Sequence, residues 1–488
     1  MSRPPPELSP PRVTTGQWGI LLASLAVAAA SYLTSSYGAV FGFIIALTLL
    51  NLWLLGSLLL EALRTRLLGK SLLTGGTLLF FWLETLADFQ HPVPFPMPHS
   101  PITTETQFSL ALVHQALVYV AVFQFMLFAG YSLRPHLGLV TSWADSRTDR
   151  KGWTSLVLKL LLAACALTPL LLSFSLDLQN VTKALLAARS GSGPAGEPVG
   201  LLHNLEFLGM FGAALLIAKG TVLPGRHKLV WLLAGAVCAA PFVFPGARHL
   251  WLFIGLPAVA IAAMRFLGRG ALFRAMQWGM VAMGILLVVQ LQWGLRGTGW
   301  NNIGNLKPAQ LLTASSTGQF TALLYAEYLV PERHPYFMEV AEPYFVIHWI
   351  PRKFWPEKPI MRSWTEYNDS YTGGSSEFNV TPSVIGQFHI NWGVLGVVFI
   401  GAWLGFLTCL ADRLMLGLDL DRQQALAVVV GMLYAFILSS FRFYSPIYVT
   451  YVVFGLVGMW LITRGTPAAQ KRSRRAQLHI GNTGLPRV

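Results

Sequence analysis

The sequence predicts an all-α polytopic membrane protein, and three observations carry that expectation. Of the 488 residues, 54% are hydrophobic and 11% charged, with a mean hydropathy of +0.54; soluble domains carry roughly 25% charged residues. Apolar runs long enough to cross a hydrocarbon core as helices, about 20 residues each, recur along the chain. The basic residues concentrate in alternate connecting segments, as positive-inside topology requires.

Taken in order, residues 1–16 form a Pro-rich, weakly basic N-terminal tail. The apolar run that follows it has the length of an uncleaved anchor rather than of a signal peptide removed on export. Apolar runs lie at 17–34, 39–60, 72–88, 107–131, 153–175, 201–219, 229–244, 250–267 and 275–294, making 17–294 a first membrane block of about nine spans. Residues 295–383 form one large outer loop, and 384–411, 424–441 and 446–463 make a second membrane block, 384–463, of about three spans. The total is about twelve spans, ending in a basic tail over 464–488. Within the loop, Ala309 to Leu329 carries apolar residues at helical spacing and Tyr336 to Trp349 is aromatic-rich. Both read as short helices lying at the interface or packed on the bundle. Gly373-Gly374-Ser375-Ser376 is a flexible joint before the chain re-enters the membrane, and the alternating prolines from Pro92 to Pro98 stiffen a smaller outer loop.

With the N-terminus inside, most of the 35 Lys and Arg residues fall on inner segments, which puts both termini in the cytoplasm. The net charge of +14 is spread over short inner loops and the Lys471-Arg472-Ser473-Arg474-Arg475 tail. That distribution suits anionic lipid and gives no face for nucleic acid. Cys165, Cys238 and Cys409 lie within separate predicted spans, so no disulfide framework or thiolate metal site is expected. No phosphate-binding loop, dinucleotide fingerprint, nucleophile elbow or paired-histidine zinc motif occurs. Neither a metal nor a cofactor is called for.

Polar residues in the spans lie toward the outer leaflet: Glu84 and Asp88, His114 and Gln115, then His203, Asn204 and Glu206. Such residues usually face a cavity or a partner. Against the inside bias, Arg248, Arg296, Arg352 and Arg442 sit at outer span ends or in the large loop, with Lys353 beside Arg352. A guanidinium forks two donors onto phosphate oxygens, so converging outer arginines suit a pyrophosphate. Trp349, Phe354, Trp355, Trp364, Tyr367 and Tyr371 offer flat faces to sugar rings or anchor the loop at the interface. His389, Glu366, Asp369 and Glu377 are the candidate bases for an acceptor hydroxyl.

The stretch Ile350-Pro351-Arg352-Lys353-Phe354-Trp355-Pro356-Glu357-Lys358-Pro359 resembles the Pro-Arg-x-x-Trp-Pro-x-Lys-Pro element of Wzy-like polymerases of O-antigen and related bacterial polysaccharides. Thr381-Pro382 through Gly386-Gln387-Phe388-His389-Ile390-Asn391-Trp392-Gly393 resembles the segment that follows it there, with Gln387 standing where the family pattern has Glu. The resemblance implies a GT-C-type architecture with one large periplasmic loop. It also implies a metal-independent, inverting glycosyltransferase in the bacterial inner membrane that acts at its periplasmic face. The implied substrates are polyprenyl-diphosphate-linked oligosaccharides, with Gln387, Asn391, Trp355, Trp364 and Tyr367 as glycan-binding residues. Membrane lipids, a chain-length regulator and a flippase are the implied partners. An O-antigen ligase and a lipid-linked oligosaccharide transporter are the alternatives.

Overall fold

A computed structural model describes most of residues 12–86, 110–167, 201–266, 319–372 and 381–465. Among them the helices are α1 (Thr15–Ala30), α2 (Tyr37–Thr65), α3 (Gly69–Thr77), α4 (Leu110–Ser132), α5 (Trp153–Ala164), α6 (Leu201–Val222), α7 (His227–Val243), α8 (Arg248–Phe266), α9 (Gln319–Leu329), α10 (Arg362–Thr372), α11 (Ser383–Gly417), α12 (Gln424–Ser440) and α13 (Pro446–Ile462). Four helical stretches are long and apolar enough to cross a membrane: Thr15–Leu33, Gly38–Ala62, Leu110–Ser132 and Ser383–Gly417. Six shorter apolar helices accompany them. The protein is therefore an all-α membrane protein. Every predicted apolar run coincides at least in part with a helix, except 275–294, which lies outside the described residues.

Packing in a bilayer gains nothing from removing water between helices, so close approach and internal hydrogen bonds must hold the bundle. Helices α4 and α11 supply the closest approach. A Cβ at Gly401 would sit 2.8 Å from the Phe123 carbonyl oxygen, and Cβ atoms at Gly130 and Gly405 would overlap the Ala402 and Leu127 carbonyl oxygens. Polar side chains then tie the remaining spans together. Trp82 Nε1 donates to Gln124 Oε1 at 3.3 Å, and Gln124 in turn donates to Asn51, linking α2, α4 and the π-helical turn Leu78–Trp82 that continues α3. The extra residue of a π turn shifts the facing of all that follows it.

One end of the bundle gathers the residues read from the sequence as inner. A capping box of Thr14 and Gln17 starts α1, and Gln17 Nε2 donates to Glu61 at 2.8 Å. Lys70 pairs with Glu61 and donates to the Arg12 carbonyl. Asp412, fully buried on α11, accepts from Tyr131 Oη at 2.6 Å, Tyr434 Oη at 2.5 Å and the Gly69 N–H at 3.1 Å. A Cβ at position 69 would collide with that carboxylate, so glycine is required there. Nearby, strand β1 (Arg147–Asp149) pairs antiparallel with β2 (Thr463–Gly465), and Asp149 meets Lys159 at 3.1 Å. Burial pushes the Asp149 carboxyl up, with Lys159 opposing.

Of the two readings of the apolar 309–329 stretch, packing on the bundle is the one that holds: helix α9 falls within it and is buried nearly all round, against α11 and α4. In the aromatic-rich stretch, Tyr344 and Ile347 are helical as expected, whereas residues 336–340 have no regular secondary structure. The backbone there pairs with another element, because Phe337 N–H donates to Ile390 O and Met338 N–H to Asn391 O, both at 3.1 Å.

Candidate functional site

Those two acceptors are free because α11 breaks. Gly393 lies at φ 60, ψ −145, so the helix runs from Ser383 to Trp392, interrupts, and resumes. Carbonyls just before a break lose their i+4 donors, and buried carbonyls must find others. The irregular 335–340 segment supplies them, with Met338 itself at φ 56. Asn391 reinforces the joint: its Oδ1 accepts from Glu339 N–H at 3.1 Å while its Nδ2 donates to Gln387 O at 2.8 Å. Trp392 Nε1 closes the loop onto Glu339 O at 3.0 Å.

A groove of about 770 Å³ opens at this joint. Glu339, Gln387 and Asn391 give it a polar side, Phe388 and Trp392 an aromatic wall, and Leu395 and Phe399 an apolar side beyond the break. Leu395 is 78% exposed and Phe399 56%, on a helix whose surroundings in a membrane are lipid tails. The groove therefore joins hydrogen-bonding groups to an exposed apolar strip.

Glu339 is the groove's carboxylate, and reading the sequence did not single it out. Its Oε1 accepts from Arg362 N–H at 3.0 Å and Tyr344 Oη at 3.3 Å, and its Oε2 from Ser363 N–H at 2.8 Å. It caps α10 from outside the helix, where the partial positive charge of the N-terminus favours an anion. The pattern Met361-Arg362-Ser363 shows no capping acid, so no local signal pointed to a residue more than twenty positions away.

Gln387 is buried and bonded twice to one backbone residue. Its Nε2 donates to Tyr444 O at 3.1 Å, and its Oε1 accepts from Tyr444 N–H at 3.0 Å. This reciprocal pair accounts for Gln rather than Glu, since an ionised carboxylate has no hydrogen for the carbonyl.

The other candidates separate. His389 is buried behind the groove, its Nε2 3.1 Å from Val330 O and its ring 5.1 Å from that of Tyr119. Glu366 pairs with His334 at 2.9 Å and Arg362 at 3.3 Å, and Asp369 is exposed on the same helix. Tyr367 is fully buried and donates to Ala322 O at 3.0 Å, so its ring packs α10 onto α9. Trp364 is half-buried 6.5 Å from Phe443, and Trp355 is 38% exposed. Arg442 is half-buried in the turn between α12 and α13, two residues from Gln387's partner Tyr444, and its Nε has no partner. Arg248 opens α8. Because Arg265 at the far end of α8 meets Asp421 at 2.7 Å, just before α12, those helices are antiparallel and Arg248 shares an end with Arg442. Arg296, Arg352, Lys353 and Glu377 lie outside the described residues. Among the described residues no three His, Cys, Asp or Glu side chains are grouped to hold a metal.

Set against known proteins, the chain matches no family model, no curated protein and no solved structure.

Proposed function

We propose that the protein is a Wzy-type polysaccharide polymerase. On this reading it is a GT-C-type glycosyltransferase of the bacterial inner membrane that moves a growing glycan from polyprenyl diphosphate onto the non-reducing end of an incoming lipid-linked repeat unit at the periplasmic face. The observation that carries the reading is the groove's two-sided chemistry. An amphipathic substrate needs a polar wall and a lipid-open wall in one cavity, and Glu339 and Asn391 line this groove together with Leu395 and Phe399. The residue pattern shared with that family over 350–359 and 381–393 supports the same substrate class.

In the transfer, the acceptor hydroxyl oxygen attacks the donor anomeric carbon. The bond from that carbon to the diphosphate oxygen breaks with its electron pair, and the hydroxyl proton passes to a base. Glu339 is the groove's own carboxylate and takes that role, with Asn391 and Trp392 orienting the sugar. The leaving diphosphate needs cations more than an acid, and Arg442 with Arg352, Lys353, Arg248 and Arg296 is the set proposed to meet it. A chain-length regulator and a flippase would be its working partners.

Purified protein incubated with a defined lipid-linked repeat unit tests the reading, with a ladder of products expected. Transfer of a single glycan to a lipid A core acceptor would make it a ligase. The break in α11 favours one other reading, a lipid-linked oligosaccharide transporter, because interrupted membrane helices build substrate sites in transporters. Translocation of intact units without any new glycosidic bond would establish that instead.

A further inference from the structure

Among the described residues two acids, Asp412 and Glu327, are buried in the bundle, and their surroundings differ in kind. Asp412 is served by two tyrosine hydroxyls and a backbone N–H, with the Lys70 ammonium acting on it. Glu327, on α9 and 3% exposed, has no hydrogen-bond partner on either carboxylate oxygen. The groups that respond to its charge are phenols, Tyr32 beside the end of α1 and Tyr119 on α4, while burial alone acts on Glu327 itself. A bare carboxylate in such a place must be neutralised, and a proton does so without a partner.

A complementary acceptor lies close by. Helices α9 and α11 touch where a Cβ at Gly386 would sit 3.1 Å from Ala326 Cβ, one residue before Glu327 and three before His389. The contact of His389 Nε2 with Val330 O requires the hydrogen on Nε2, because a carbonyl oxygen only accepts. Nδ1 is then a lone-pair acceptor, buried and without a partner. Tyr119 lies near both groups, its ring 5.1 Å from that of His389 in a tilted arrangement and its hydroxyl within reach of the Glu327 charge.

We propose that Glu327 and His389 form a buried proton-binding site beneath α9, in which Glu327 carries the proton at neutral pH and His389 Nδ1 is the alternative acceptor. Burial pushes the Glu327 carboxyl well above the usual carboxylate range, which agrees with the geometry. Among the described residues, the titratable rings around it are Tyr119 and Tyr336 beside His389, Tyr32 with His114 stacked on it, and Tyr367 bonded to Ala322 on the same helix as Glu327. None supplies a fixed positive charge. The site goes beyond the glycan reading and does not depend on it.

Infrared difference spectra of the full chain in detergent, titrated through neutral pH, read the proton directly as the carbonyl stretch of a carboxylic acid. The expected result is a band that persists at neutral pH, is lost in Glu327→Gln, and shifts in His389→Ala. Glu327→Gln should also unfold at the same temperature as the parent or higher, since an amide reproduces the neutral acid. Three results would each overturn the proposal: no such band at neutral pH, a band unchanged in Glu327→Gln, or a band removed by sodium chloride but not by choline chloride at one pH, which would show a metal cation in place of the proton.

Discussion

Glu339 serves two purposes with one carboxylate, and substitutions can separate them. It anchors the first turn of α10 through Arg362 N–H and Ser363 N–H, and it presents an acid to the groove. Glu339→Ala removes the anchor and should cost about 1–2 kcal/mol, the range for lost N-terminal caps. Glu339→Gln keeps an acceptor for one of the two N–H groups, so it should unfold closer to the parent while failing to extend a lipid-linked repeat unit. Thermal unfolding and a product ladder check the two effects, and full extension by Glu339→Gln would take the base role away from this residue. Gln387 makes the opposite case. Gln387→Glu strands the Tyr444 carbonyl and should destabilise by roughly 1–3 kcal/mol, the penalty for a buried unsatisfied group. Unfolding unchanged from the parent would show that the backbone at Tyr444 finds another donor. Gln387 and Asn391 were legible because a local pattern frames them. Glu339 and Glu327 were not, because each owes its importance to residues that only the folded chain brings near.

The break in α11 is the element that makes the groove, and Gly393 is its pivot. Its conformation is one that side chains resist, and a Cβ there would also press within 3.1 Å of Tyr336 Oη. Gly393→Ala should therefore cost on the order of 1–3 kcal/mol, the usual price of a strained backbone position. It should also release Phe337 and Met338 from Ile390 O and Asn391 O, so amide exchange over 335–340 should quicken while exchange in α12 stays slow. Protection of 335–340 equal to the parent would mean the helix tolerates a side chain at its break. The apolar run at 384–411 announced a helix, but Gly386, Gly393 and Gly396 all lie within eleven residues and nothing local marks which one interrupts it. Gly386 and Gly393 serve different ends, the first admitting Ala326 and the second turning the backbone. The same limit applies to α9, whose apolar spacing was readable while its depth in the bundle was not.

At the scale of the whole molecule, two polar ends are held apart by the apolar lengths of α2, α4 and α11. Asp412, Lys70, Asp149 and Asp421 mark one end; Glu339, Glu366 and Arg442 mark the other. The positive-inside expectation puts the first end in the cytoplasm and the groove outside, and orientation is open to test. Two exposed acids report on this with little risk to the fold. Asp369 projects from α10 near the groove, and Asp421 lies at the opposite end in an exposed pair with Arg265, a contact typically worth well under about 1 kcal/mol. In a chain whose Cys165, Cys238 and Cys409 are replaced by alanine, Asp369→Cys should react with a membrane-impermeant thiol reagent on intact cells. Asp421→Cys should react only once the membrane is opened. The reverse pattern would turn the groove toward the cytoplasm, where a lipid-linked repeat unit is built rather than joined to a chain. It would remove the polymerase reading while leaving the groove, the break in α11 and the buried Glu327 site as they are.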